Sequence, residues 1–248
     1  MIKGLYTSAR GMTPETSKLE IAAHNIANVS TTGFKRTKIF DGILTREASG
    51  PVINGAGSIK NDFRVSVDFA QGEMRETKNP LDVAMIGDGF FVLETPEGPM
   101  YTRNGNFTLG ADGTLISGNG FPVQGEQGTI RIPDTDKTPV TSLMINEKGE
   151  IYLGEKKLDR IRTVDFTDKD VLHPENNNLF SAPEDVTPED VAAPAVTVHQ
   201  GYLEESNVDI IKEMIAMIDS RQSFETSQKM IRSQETTLDH ANEVGRMP

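Results

Sequence analysis

Ala27-Asn28-Val29-Ser30-Thr31-Thr32-Gly33-Phe34-Lys35-Arg36 is a polar, turn-prone run that directly follows a segment with helical spacing. Asn28 and Ser30 are poor in a helix interior, because their side chains compete for backbone hydrogen bonds. Thr31 and Thr32 add β-branched stiffness, and Gly33 allows a left-handed backbone conformation closed to other residues. Phe34 supplies an apolar anchor and Lys35-Arg36 a basic exit. The run reads as a helix stop followed by a fixed change of direction, with Gly33 expected at positive φ.

Upstream of it, Leu5, Met12, Leu19 and Ile26 recur at a constant spacing of seven, with Ala9, Ala22 and Ala23 as small neighbours. Pro14 interrupts that stripe. Thr13 as N-cap with Pro14 at the first helical position would restart the helix, so a kink or restart is expected there. At the other end of the chain, Ile210, Met217, Phe224, Ile231 and Leu238 repeat the spacing, and Met214 fills the alternate position early, followed by Arg221, Gln228 and Glu235. Val208, Ile211, Ile215 and Ile218 form a second apolar stripe. Ser206 followed by Asp209 supplies an N-cap with an acid in the first turn. The pattern fits two amphipathic helices over one core, or a coiled coil.

Between the ends the period becomes two. Phe63, Val65, Val67 and Phe69 alternate with polar residues as a half-buried strand. Short apolar runs then follow, separated by Asn104-Gly105, Asp112-Gly113, Gly118-Asn119-Gly120 and Lys148-Gly149, the residues of tight hairpin turns. Pro183–Pro194 reads as a loop. The expected fold is α+β. Residues 1–30 and 203–248 form one discontinuous helical, coiled-coil domain, 31–82 an extended junction with a strand, and 83–202 a central antiparallel β domain.

Composition narrows the function. The chain has 248 residues, no cysteine and a net charge of −12. That rules out disulfides, zinc thiolates and thiol nucleophiles, and argues against a nucleic-acid partner. Residues 1–48 carry a net +3 and residues 202–248 a net −4, so the two ends attract. No run approaches the roughly 20 apolar residues of a membrane helix. Ser8–Lys18 is too polar for a secretory signal.

Gly87-Asp88-Gly89 lacks the third glycine of a dinucleotide loop and continues into a strand. Asp134-Thr135-Asp136 meets Pro139 where a calcium loop needs its glycine-containing remainder. His24, His173, His199 and His240 show no zinc-ligand spacing, and no serine-nucleophile elbow occurs. No catalytic, cofactor-binding or metal residues are expected.

Asn25-Ile26-Ala27-Asn28-Val29-Ser30-Thr31-Thr32-Gly33-Phe34-Lys35 closely resembles the signature of flagellar basal-body rod and hook proteins. Three further blocks resemble that family in order along the chain: Gly87–Val92, Tyr101–Phe107 and Gln200–Asp209. The short Phe40–Pro80 segment and the ending Asn242–Arg246 resemble the proximal-rod, F-type members, with the distal-rod, G-type second.

The resemblance implies a non-enzymatic rod subunit without cofactor, located in the basal body. It would be exported through the flagellar type III apparatus and assembled in the periplasm into a tubular shaft between motor ring and hook. Paired terminal helices would line the tube, with the β domain outside. Its partners would be copies of itself, other rod proteins and the export apparatus, without nucleic acid or membrane insertion.

Leu5, Met12, Leu19, Ile26, Ile210, Met214, Met217, Phe224, Ile231 and Leu238 would pack between helices and subunits. Asn28, Thr31, Thr32, Gly33 and Phe34 would form the junction. Phe40 and Leu44 resemble the export-gate element of early flagellar substrates. The rival expectation is a periplasmic β-domain protein that binds or cleaves peptidoglycan.

Overall fold

Among the described residues, two α-helices and a set of antiparallel sheets make up an α+β fold, and the chain divides into two compact units. The computed structural model describes residues 2–40, 64–133, 143–183, 185–191 and 195–244, with side-chain environments within 12–39, 65–133, 143–183, 185–191 and 195–237.

The first unit joins the two chain ends. It holds α1 (Ile2–Ala27), α2 (Ile210–Val244) and the paired strands Thr37–Phe40 and Arg64–Val67. The restart expected at Thr13 does not occur, because α1 runs unbroken through Pro14. A proline removes one helical hydrogen bond, and here α1 packs against α2. Thr16 Oγ1 donates to the Met12 carbonyl at 3.1 Å beside the proline.

The start of α2 also differs from expectation. Asp209 itself is the cap, its Oδ1 accepting from the Ile211 and Lys212 amides at 3.1 and 3.3 Å. Ser206 Oγ accepts from the Val208 amide one turn earlier, at 3.3 Å.

The covered side of α2 follows Glu213, Met217, Ser220, Phe224, Ser227, Ile231 and Gln234, a strict alternation of four and three. Met217, Phe224 and Ile231 are the residues expected there. The alternate positions are not Met214, Arg221, Gln228 and Glu235, which are all exposed, but Glu213, Ser220, Ser227 and Gln234. Ser220 is buried. Small side chains let a neighbouring helix approach closely, and apolar periodicity alone does not register them. Met12, Leu19 and Ile26 on α1 are half-buried, whereas Ala22 and Asn25 are its most covered residues. On the nearly opposite side of α2, Ile211 is 71% and Ile215 is 54% exposed, flanked by exposed Met214 and Ile218.

The second unit spans Asn28–Arg36 and Val67–Val208. The stretch expected as a junction, 31–82, is thus shared between the two units. The main sheet runs in the order His173–Glu175, Leu179–Ser181, Gly98–Thr102, Phe90–Thr95, Thr163–Asp165, Glu189–Asp190, all antiparallel. The last of these strands falls inside the stretch read as a loop.

The central strand reads Phe-Phe-Val-Leu because both its faces are covered. Phe91 and Leu93 join Met85, Phe107, Leu115, Ile151 and Ile161 in one core. Phe90 and Val92 join Tyr101, Val164, Phe166 and Phe180 in another. Phe69 packs on Phe90 and Phe180 with ring centroids 5.4 and 5.3 Å apart. Val65 is exposed, and Phe63 lies outside the described residues.

Asp112-Gly113 and Lys148-Gly149 turn hairpins with both glycines at positive φ, as the sequence predicts. Asn104-Gly105 does not. A Cβ on Gly105 would sit 1.6 Å from the Val83 carbonyl oxygen, so this glycine serves a close approach of two backbones.

Candidate functional site

The four sequence blocks converge in the second unit, around the run that ends α1. Within that run the Thr31 amide donates to the Asn28 carbonyl at 3.1 Å, and the Phe34 amide to the Thr31 carbonyl at 3.3 Å. Thr31 Oγ1 bonds Asn28 Oδ1 at 3.2 Å. Gly33 has φ +68°, and a Cβ there would meet the Asn104 amide nitrogen at 2.5 Å. Positive φ and close approach therefore both demand glycine.

The run is held from outside. Thr32 Oγ1 bonds Asn104 Oδ1 at 3.0 Å, and Asn178 Nδ2 donates to the Thr32 carbonyl at 3.1 Å. The Gly33 amide donates to the Glu204 carbonyl at 2.8 Å. Phe34 is buried as an anchor should be.

Lys35 overturns the reading of a basic exit. Its side chain is 1% exposed, and Nζ donates to Glu204 Oε1 at 2.6 Å and to the Ala70 carbonyl at 2.8 Å. Glu204, itself 0% exposed, also accepts from the Gly72 amide at 2.9 Å. It sits on the strand Tyr202–Glu204, paired with Met74–Glu76.

Arg103 closes the cluster. Its NH1 lies 3.7 Å from Glu204 Oε2, an ion pair too long for a hydrogen bond. NH2 donates to the Gly87 carbonyl at 2.8 Å, and the guanidinium stands 5.5 Å from the Phe90 ring centroid. Arg36 contributes through its backbone, the amide donating to Asn207 Oδ1 at 2.7 Å. Asn207 Nδ2 in turn donates to the Asp68 and Ala70 carbonyls at 2.8 and 2.9 Å.

The cluster holds two cations and one anion in a buried place. Burial pulls the Lys35 ammonium below the usual lysine value, opposed by Glu204 and reinforced by Arg103. Burial likewise lowers Arg103, opposed by Glu204 and then by Asp88 and Asp165. Asp88 stands at the surface, ion-paired with Lys169 at 2.7 Å, which holds its carboxyl below the ordinary range.

A second buried polar contact lies within the first unit. Asn25 Nδ2 donates to the Thr37 carbonyl at 2.8 Å and to Glu213 Oε2 at 3.2 Å, while its Oδ1 accepts from the Thr37 amide at 3.0 Å. The side chain thereby pairs with a backbone as a strand would.

Of the sequence-predicted residues, Asn28, Thr31, Thr32, Gly33 and Phe34 lie together in this site. Ile210 and Met214 are exposed on α2. The side chains of Leu5, Phe40 and Leu238, and the whole of Leu44, lie outside the described residues. Lys35, Arg103, Glu204, Asn25 and Glu213 were missed as a site. The available signal was the placement of Lys35, Arg103 and Glu204 inside otherwise polar or β-forming blocks.

Residues 5–35 match the family model described as flagella basal body rod protein. Residues 84–153 match the flagellar hook protein FlgE/F/G D1 domain, and 199–244 the flagellar basal body rod FlgEFG protein C-terminal. The buried charge cluster takes one residue from each matched segment: Lys35, Arg103 and Glu204.

The chain is similar to the flagellar basal-body rod protein FlgG of Bacillus subtilis, at 31% identity over 96% of this chain and 97% of the relative. FlgG of Agrobacterium fabrum is 33% identical over 93% of this chain and 94% of the relative. FlgF of Caulobacter vibrioides is 31% identical over 93% of each. Matched over nearly its whole length by relatives of both names, the chain belongs to the flagellar basal-body rod protein family.

Proposed function

We propose that the chain polymerises through its helical unit into the basal-body rod, the periplasmic shaft that carries torque from motor ring to hook. As a member of the rod family it is a structural subunit of the flagellar basal body and not an enzyme. The observation that carries the polymerisation reading is the apolar face of α2, where Ile211, Met214, Ile215 and Ile218 are exposed although α1 already packs along the helix. A helix that is covered on one side and still exposes an apolar face on the other needs a second partner, and in a rod neighbouring subunits supply it. On this reading the two helices pack as a coiled coil, with the four-and-three spacing of the covered α2 residues as its seam.

The buried cluster fits the same role. Lys35 and Glu204 are sealed from any substrate, so their charge serves the fold. Delivery through the flagellar type III export apparatus belongs to this reading, with Phe40 and Leu44 as the recognised element. Placement in the proximal rod, F type, rests on the short 40–80 segment and the Asn242–Arg246 ending, since relatives named FlgG and FlgF match at similar identity.

Ile215→Asp tests the proposal. Rod yield in electron micrographs of basal bodies should fall sharply while the purified monomer keeps its β-sheet circular dichroism. Normal rods from that variant would overturn it.

A further inference from the structure

Residues 28–36 contain no helix or strand, and beyond the turn bonds among Asn28, Thr31 and Phe34 their hydrogen bonds go to distant parts of the second unit. Gly33 bonds Glu204, the Arg36 amide bonds Asn207, and the Arg36 carbonyl accepts from the Asp68 amide at 2.7 Å. Lys35 and Glu204 are 169 residues apart in sequence. The two-stranded ribbon Phe90–Thr95 with Gly98–Thr102 is instead closed by a short local turn. Local hairpins form early, and contacts across long loops must first overcome closure entropy.

The charges make the order stricter. Lys35 and Arg103 both sit against Glu204, and each is a like charge to the other. Without Glu204, docking the run would bury two cations that repel each other more strongly than in water, with only the weaker influence of Asp68 on Lys35 and of Asp88 and Asp165 on Arg103.

We infer that Lys35, Arg103 and Glu204 form a completion lock. The run 28–36 stays off the β unit until the 204–207 segment is in place, and the lock closes last. A chain that becomes available from its N-terminus therefore presents both cations first and cannot dock its junction prematurely. Glu204 converts the repulsion into attraction and ties the first block to the last.

Hydrogen exchange on the full chain tests this, using Glu204→Gln and the double variant Lys35→Met with Glu204→Gln. In Glu204→Gln, the Gly33, Asp68 and Gly72 amides should exchange about 100-fold faster, while the amides of the 90–102 hairpin stay protected. In the double variant, protection of the Asp68 amide should recover at least about tenfold, because the repulsion is gone. Uniform loss of protection including the hairpin, failure of Glu204→Gln to fold at all, or no recovery in the double variant would each overturn the lock.

Discussion

Lys35 Nζ lies 2.6 Å from Glu204 Oε1, with both side chains buried and Arg103 the third charge beside them. The cluster therefore has one cation in excess. The two partners of this ion pair are not equivalent.

Removing Lys35 leaves a neutral Arg103–Glu204 pair, whereas removing Glu204 leaves two buried cations with only the weaker influence of Asp68 on Lys35 and of Asp88 and Asp165 on Arg103. Glu204→Gln should cost about 3–5 kcal/mol, the range for breaking a buried pair. Lys35→Met should cost about 1–2 kcal/mol, through the lost Nζ hydrogen bonds to Glu204 Oε1 and to the Ala70 carbonyl, which keeps its bond from Asn207 Nδ2. Urea denaturation of both variants checks this, and a Lys35→Met loss equal to or above that of Glu204→Gln would contradict it.

The same excess sets a pH dependence. Burial, first among the causes, lowers the Lys35 pKa from the ordinary 10.5. Between the lowered folded value and 10.5, the unfolded chain binds the extra proton, so the Lys35 contribution to stability rises with pH across that window. Below the folded value both states are protonated and the penalty is constant. The stability difference between wild type and Lys35→Met should thus move in favour of wild type as pH climbs toward 10.5. A difference that is flat, or that moves the other way, counts against the buried-cation account.

Two glycines separate strain from crowding. Gly33 and Gly154 have nearly equal φ of +68° and +63°, but only at Gly33 would a Cβ meet backbone. Gly154→Ala should cost about 1 kcal/mol from the left-handed conformation alone. Gly33→Ala should cost about 3 kcal/mol or more, because strain adds to the clash with Asn104. Equal losses in thermal or urea midpoints would show that the close approach relaxes freely.

The export element predicts a cellular location. Phe40→Ala with Leu44→Ala should hold the subunit in the cytoplasm if the element is read during export. A normal periplasmic pool of subunits that fail to assemble would assign both residues to packing instead.

The sequence exposed the features that are local. The helix stop at Asn28, the positive φ of Gly33, the hairpins at Gly113 and Gly149 and the buried strand at Phe90 each follow from residue type and spacing. Features that depend on a distant partner stayed hidden. Lys35 reads as an exposed exit because nothing within the run reveals Glu204. The packing side of α2 reads as Ile210, Met214, Met217, Phe224, Ile231 and Leu238; Met217, Phe224 and Ile231 are covered, Ile210 and Met214 are exposed, and apolar periodicity is blind to Ser220 and Ser227 between them. Pro14 reads as a kink or restart because α2, which packs against α1, is far away in sequence. Gly105 was read as a turn because the Val83 backbone beside it belongs to another strand.

The central claim, that the open face of α2 is covered by neighbouring subunits, can be read from one thiol. The chain contains no cysteine, so Ile215→Cys introduces a unique reporter. The account predicts that this thiol reacts readily with a maleimide in the free monomer and is protected at least about tenfold in isolated basal bodies, as for a side chain moved from solvent to a packed interface. An Ile215→Cys thiol equally reactive in monomer and assembled rod would contradict it.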